Sequence, residues 1–358
     1  DSANPLLRRV FLDSVKGKSS IILKEFLADG TIPVRNAAGQ PMVNQLIAFL
    51  IRKETVYDHP VEKKPVNPVQ RTFSLGSEWV YLKFYCGTKS ADFILEEGIA
   101  PVVRKTERNG WVDQWFFIRY HDPENHLRVR FHLADTRFLP ELLRLTEHHI
   151  RPFERNGLVW KVQADTYRRE LERYGNEVIK AVEKLFWIDS RMYLDFLRQT
   201  GGDEREDLKW LWGLRNIDGF LAAAGLDIAG KKALMEQVRS HFAEEFNMDQ
   251  GLKSQIDRRY RARRKKMEEF LNGHESVRLP SGEIPLSDLW KEIRDTVEEP
   301  VVFERILTSC IHMTVNRLVS SGQRLHELLM YDFLCRYYTS KTATSGVWGM
   351  KRAKAPGR

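Results

Sequence analysis

The chain has 358 residues, 42% of them hydrophobic and 30% charged, which is enough apolar material to bury the core of one large domain or two smaller ones. No run approaches the roughly 18 apolar residues of a membrane span, and Asp1-Ser2-Ala3-Asn4-Pro5 lacks the basic and apolar regions of a signal peptide. A soluble, cytoplasmic protein without membrane insertion is expected, and the net charge of +8 favours an anionic partner without naming one.

Residues 5–56 read as a helix-plus-strand piece, in which Gln45–Ile51 is the apolar stretch after a turn-rich Asn36–Pro41. Residues 57–73 contain Pro60, Pro65 and Pro68 among charges, the chemistry of a linker. The texture changes at Trp79–Cys86, aromatic and β-branched and closed by Gly87, which predicts a strand. A helix near 89–98 follows, then strands over 113–120 and 126–133. His121-Asp122-Pro123-Glu124-Asn125 joins those strands as a hairpin loop. After a helix near 136–155 and a strand near 159–167, helical periodicity covers 176–199, 204–224, 231–247, 250–272, 286–298 and 301–340. Strands first and helices later predict an α+β fold, an antiparallel sheet with flanking helices followed by a mainly helical C-terminal part. The basic residues 341–358 are expected to be a disordered tail.

Cys86, Cys310 and Cys335 are odd in number and widely spaced, which suggests buried thiols rather than a disulfide framework or a zinc knuckle. No HExxH, GxGxxG, Walker-type phosphate loop or Gly-x-Ser-x-Gly is present, and no zinc site is signalled. Ser320-Ser321-Gly322 reads as a helix break rather than a nucleophile.

Three constellations could carry chemistry. In the strand His126-Leu127-Arg128-Val129-Arg130-Phe131, period-2 alternation puts His126, Arg128 and Arg130 on one face and the apolar residues on the other. Two adjacent guanidiniums repel, so the face either borders water and carboxylates or surrounds a bound anion. Glu170 and Arg173, at i and i+3, would share a helix face, an arrangement that also occurs on many ordinary surfaces. His312 and Asn316 lie one turn apart, so the amide could orient the imidazole; a satisfied core histidine is the plainer reading. The basic run Arg258–Lys266 is either a solvated helix face or a dock for RNA or an acidic peptide.

Taken in order, Gly76–Tyr85, Trp115–Tyr120, His126–Phe131, Glu170-x-x-Arg173-Tyr174-Gly175, Asp189-Ser190 and His312-Met313-x-x-Asn316-Arg317 resemble the C-terminal elimination domain of lantibiotic (class I lanthipeptide) dehydratases, which thiopeptide biosynthesis proteins share. The resemblance covers about residues 74–340, and residues 1–56 look like the end of a preceding glutamylation domain. It implies β-elimination of glutamate from glutamylated Ser and Thr of a precursor peptide, giving dehydroamino acids, a reaction expected to need no metal or organic cofactor because glutamate is already a good leaving group. His312, Arg173, Arg130, Arg128 and Glu170 are the implied catalytic set, and Arg119, His126 and Asn316 are expected to contact substrate. The implied partners are the glutamylated precursor peptide and a glutamylation domain or protein that uses glutamyl-tRNA, with a homodimer as one assembly. The chain is expected to be the end of a longer dehydratase rather than a stand-alone eliminase. Two departures from the family pattern are Asn176 after Gly175 and Thr314 where a second histidine is frequent, which could alter the surroundings of the base. The alternatives are a pyridine-forming cycloaddition enzyme of thiopeptide pathways and a non-catalytic module that binds peptide or RNA.

Overall fold

A computed structural model describes residues 4–17, 35–40, 69–202, 205–273 and 286–352. The chain falls into two units, Asp1–Lys63 and Lys64–Arg358. In the first, helix α1 (Pro5–Val15) is followed by a turn in which the Asn36 carboxamide accepts from the backbone of Ala38 and Gln40; the apolar stretch 45–51 lies outside the described residues.

The second unit is built on a four-stranded antiparallel sheet with the order β3-β4-β2-β5, where β2 is Trp79–Cys86, β3 Val112–His121, β4 Asn125–Leu133 and β5 Val159–Asp165. A small second sheet pairs β1 (Thr72–Phe73) with β6 (Tyr167–Arg168). Thr72 and Phe73, placed in the linker from their neighbouring prolines, are therefore sheet residues; Phe73 is buried and stacks on Tyr167. The rest of the expected linker, through residue 68, lies outside the described residues.

The register of the large sheet fixes its two faces. Arg130 sits opposite Tyr81 and Phe116, Arg128 opposite Lys83 and Ile118, and His126 opposite Tyr85 and Tyr120. Directly opposed residues project to the same side, so one face is cationic and aromatic and the other carries Val80, Leu82, Phe84, Leu127, Val129 and Phe131, all buried. Trp115 on the apolar face donates its indole N–H to Glu107 of α3 (Ala100–Arg108). That helix continues a helical stretch that begins at α2 (Ala91–Phe93) and passes through a π-helical segment, Ile94–Ile99. The stretch runs on past the expected end near 98, through Pro101 to Arg108. Helix α4 (Leu139–Arg155) packs on the π segment and on β5.

The helical part comprises α5 (Leu171–Tyr174), α6 (Ile179–Gln199), α7 (Arg205–Ala223), α8 (Ile228–Glu245), α9 (Gln250–Asn272), α10 (Leu286–Thr296), α11 (Pro300–Leu318) and α12 (Gln323–Arg352). The helical region expected over 301–340 is two helices, and the break falls at 319–322, at the Ser320-Ser321-Gly322 read as a helix break from the sequence, where Gly322 takes a φ of +63° that side chains resist. The tail expected to be disordered from 341 is helical as far as Arg352, since the next proline is Pro356. Among the described residues no helix is long and apolar enough to cross a membrane.

Strand β3 is a sheet edge, and the outward backbone groups of Phe117 and Arg119 are closed by side chains. Ser190 of α6 accepts from the Phe117 N–H, Arg317 of α11 donates to the Phe117 carbonyl, and Asn316 pairs with both the N–H and the C=O of Arg119, each at 2.9 Å. Arg317 is in turn held by Asp189 at 2.8 Å, both fully buried. The Asp189-Ser190 and Asn316-Arg317 pairs thus dock two helices against an otherwise unpaired edge.

Candidate functional site

Strand β4 presents the cationic ladder. Arg130 is nine-tenths buried, its guanidinium 4.5 Å from the centre of the Tyr81 ring, 4.8 Å from Tyr167 and 5.2 Å from Phe116. No carboxylate among the described residues pairs with it, and its Nε has no hydrogen-bond partner. Two acids that interact with the same tyrosines are engaged elsewhere: Asp165 with Lys83, and Glu183 with Arg169 through two bonds of 2.6 and 2.7 Å and with the Tyr167 hydroxyl. A buried cation held only by ring faces is stabilised by cation–π attraction, yet it keeps the donors of an unsatisfied anion site. Burial raises the pKa of Tyr81 against the charges of Arg130 and Arg128, so its hydroxyl stays protonated.

Arg128 lies 3.3 Å over the Tyr120 ring and donates from Nε to His126 Nε2 at 3.0 Å. Because Nε2 accepts, Nδ1 carries the proton and donates to the Glu124 carbonyl at 2.8 Å. Burial lowers the pKa of His126, and Arg128 and Lys83 push the same way against the Glu124 bond. His126 is a neutral orienting group.

His312 stands on α11 with Nδ1 2.6 Å from Glu327 Oε1, and Glu327 is fully buried on α12. Arg324 donates to the other oxygen of Glu327 at 3.1 Å. With the proton of Nδ1 directed to that carboxylate, Nε2 is left as the basic nitrogen, and an imidazolium formed there is compensated. The carboxylate, not Asn316, orients the ring; Asn316 is committed to β3. Gln323 links the two, accepting from Asn316 at 2.8 Å and donating to the His312 carbonyl at 3.0 Å. Thr314, on the other side of α11, donates to Asp189 at 3.1 Å and does not touch His312; the helix turns about 200° over two residues.

Glu170 and Arg173 form the expected i, i+3 pair at 3.2 Å in and before the single turn α5, both largely exposed. Among the described residues no hydrogen bond or ion pair joins Arg130, Arg173 and His312 to one another: each has its own partners. They stand on elements in mutual contact, β4 on β3, β3 on α11 and α11 on α5.

Arg119, His126 and Asn316 do come together, lining a cleft of about 480 Å³ at the end of the sheet between the β3–β4 hairpin and the α11–α12 junction. Arg119 is no free cation, since it pairs with Asp92, donates to the Arg317 carbonyl at 2.9 Å and to the Tyr193 hydroxyl at 3.1 Å. Glu327, Gln323 and Asp92 were not singled out in the sequence. Glu327 had a signal: with Tyr331, Leu334 and Tyr338 it falls on one buried stripe of α12, and a carboxylate on an apolar stripe needs a partner. Among the described residues no cluster of three or more His, Cys, Asp and Glu could hold a metal ion.

Residues 79–338 match the family model of the lantibiotic biosynthesis dehydratase C-terminal region. The chain is 25% identical over 269 residues to the subtilin biosynthesis protein SpaB of Bacillus subtilis, covering 73% of this chain and 25% of that protein. It spans about a quarter of the length of that relative. Among solved structures it is similar in fold to the tRNA-dependent lantibiotic dehydratase MibB from Microbispora sp. 107891 (TM-score 0.56, 21% identity, 75% of this chain and 28% of that one). It is similar in fold also to the pyridine synthase TbtD from thiomuracin biosynthesis (TM-score 0.51, 15% identity, 74% and 99%).

Proposed function

This chain belongs to the lantibiotic biosynthesis dehydratase C-terminal family, and from that premise we propose that it eliminates glutamate from glutamylated Ser and Thr of a precursor peptide. The observation that carries the reading is Arg130, a buried guanidinium caged by three rings with no carboxylate partner among the described residues. An elimination that expels a carboxylate needs such a receptor.

His312 Nε2 removes the Cα proton while Glu327 compensates the imidazolium. The electron pair forms the Cα–Cβ double bond, the Cβ–O bond breaks, and glutamate departs as its carboxylate. Arg130 and Arg128 receive the leaving group, and Arg173, steadied by Glu170, faces the enolate oxygen that develops on the way. Those roles require the exposed Arg173 to reach over α11 when substrate binds. The glutamylation step belongs to a preceding domain or a partner that uses glutamyl-tRNA, with residues 1–56 the end of the former, 57–71 the join and the elimination domain beginning by β1.

The pyridine-forming alternative shares the fold, but cycloaddition of dehydrated residues has no carboxylate to expel, so an uncompensated Arg130 favours elimination. The test is mass spectrometry of a synthetic glutamylated peptide incubated with the purified chain and no tRNA. Loss of glutamate is expected; an unchanged adduct, with the far-ultraviolet spectrum showing a folded protein, overturns the assignment.

A further inference from the structure

The rungs of the sheet beside Arg130 hold a charge pattern that is unfavourable by itself. Lys83 of β2 stands directly opposite Arg128 of β4, and like charges in that position are destabilising. Lys161 follows on β5, opposite Tyr85. Against Arg128, Arg130, Lys83 and Lys161 these rungs set one carboxylate, Asp165, which lies opposite Tyr81 and so on the same side of the sheet as Arg130. Four of these charges meet at the Tyr81 hydroxyl: burial raises its pKa, Arg130, Arg128 and Lys83 lower it, and Asp165 raises it. Arg130 is almost wholly buried, but the groups beside it are open to solvent, the Asp165 side chain being 37% exposed and that of Lys83 14%. Arg128 is partly buried and has the rings of His126 and Tyr120 for partners. Asp165 holds Lys83 through Oδ2 and takes the Thr166 N–H on Oδ1 at 2.7 Å, and a carboxylate has further acceptor sites to offer.

A glutamyl group transferred from its tRNA is joined through the α-carboxyl, as in any aminoacyl ester. It therefore keeps a free ammonium beside the scissile ester and a free side-chain carboxylate. A receptor of arginines alone would repel that ammonium, whereas this face offers cations for the carboxylates and one exposed anion for the ammonium. We propose that Lys83, Arg128 and Asp165 recognise the free end of the glutamyl group, Asp165 taking the ammonium and Lys83 with Arg128 the side-chain carboxylate, while Arg130 receives the departing α-carboxylate. Neighbouring strands lie about 4.8 Å apart, a step that glutamate covers between its ammonium and its side-chain carboxylate. The assignment rests on glutamate elimination being the reaction, and it makes Lys83 and Asp165 the residues that select glutamate over other acyl groups.

Titration of the purified chain with three small ligands separates recognition from turnover: L-glutamate, glutarate, which lacks the ammonium, and L-glutamine, which lacks the side-chain charge. Calorimetry or amide chemical shifts read the affinities. Wild type is expected to bind glutamate about ten-fold more tightly than either analogue. Asp165→Asn should bring glutarate level with glutamate, and Lys83→Met should narrow the gap to glutamine. A purely structural cross-strand ion pair would instead lower the urea midpoint in both variants and leave the ligand ratios unchanged. Equal binding of glutarate and glutamate by wild type, a preference that survives in Asp165→Asn, or no binding of glutamate would each overturn the proposal. Should Asp165→Asn not fold, the wild-type comparison of the three ligands decides. Failure of the wild type to release glutamate from a glutamylated peptide would sink the elimination reading instead, whatever the ligand ratios.

Discussion

The side-chain amide of Asn316 pairs with the Arg119 backbone as a neighbouring strand would, its carbonyl accepting the N–H and its amino group donating to the C=O, both at 2.9 Å. One residue of α11 thereby ends the sheet and fixes where the helix carrying His312 lies. Asn316→Ala leaves two backbone groups without partners and should lower stability by about 2–3 kcal/mol. Asn316→Asp should be at least as harmful, since it faces a carboxylate to the Arg119 carbonyl. Urea melts check both, and a midpoint within error of wild type for Asn316→Ala would remove the edge-closing role.

Two buried arginines should respond in opposite ways. Arg317 is paired with Asp189, so Arg317→Met strands a buried carboxylate and should cost about 3–5 kcal/mol. Arg130 has only ring faces for partners, so Arg130→Met should stay within about 1 kcal/mol of wild type while elimination collapses. Thermal unfolding of the two variants side by side gives the comparison; equal losses would mean that Arg130 is a structural residue after all.

If His312 moves the proton, His312→Ala should bind glutamylated peptide as the wild type does and convert it about 10² to 10⁴ times more slowly. Glu327→Gln keeps an acceptor for Nδ1 but removes the compensating charge, so kcat should fall with KM unchanged. Arg173→Ala should lose both binding and turnover. Adduct accumulation, read by mass when a glutamylating partner is supplied, distinguishes these cases, and unaltered dehydration by His312→Ala would return this histidine to a packing role.

Acid should loosen the joint between α2, β3 and α7. Burial pushes the Asp92 carboxyl up, but Arg119 and Lys209 (Nζ at 2.7 Å) overcome it and hold its pKa at about 2, below its ordinary 3.8. A depressed carboxylate pKa contributes stability that is present above about pH 4 and lost as pH falls through about 2. The difference is worth roughly 2 kcal/mol. Asp92→Asn should flatten the stability profile between pH 4 and 2 in urea melts; an unchanged slope would place the acid sensitivity elsewhere.

Period-2 alternation in His126–Phe131 determined which side chains of β4 share a face, and the aromatic run before it determined β2, because both are properties of an extended backbone alone. Glu170 and Arg173 likewise meet because one helical turn brings i and i+3 together. Family membership was legible too, since ordered motifs lie along the chain itself. What the sequence could not supply was who pairs with whom across long separations. Asn316 looked like a partner for His312 at one turn's distance, yet it bonds Arg119, 197 residues away, and the ring is held by Glu327 on the next helix. Whether Arg130 had a carboxylate partner was equally undecided until Asp165 and Glu183 were seen committed to Lys83 and Arg169. Local spacing is set by backbone geometry, which every residue carries with it. The choice among charged partners is made only when packing removes water and leaves each buried donor the acceptors that the fold brings within reach.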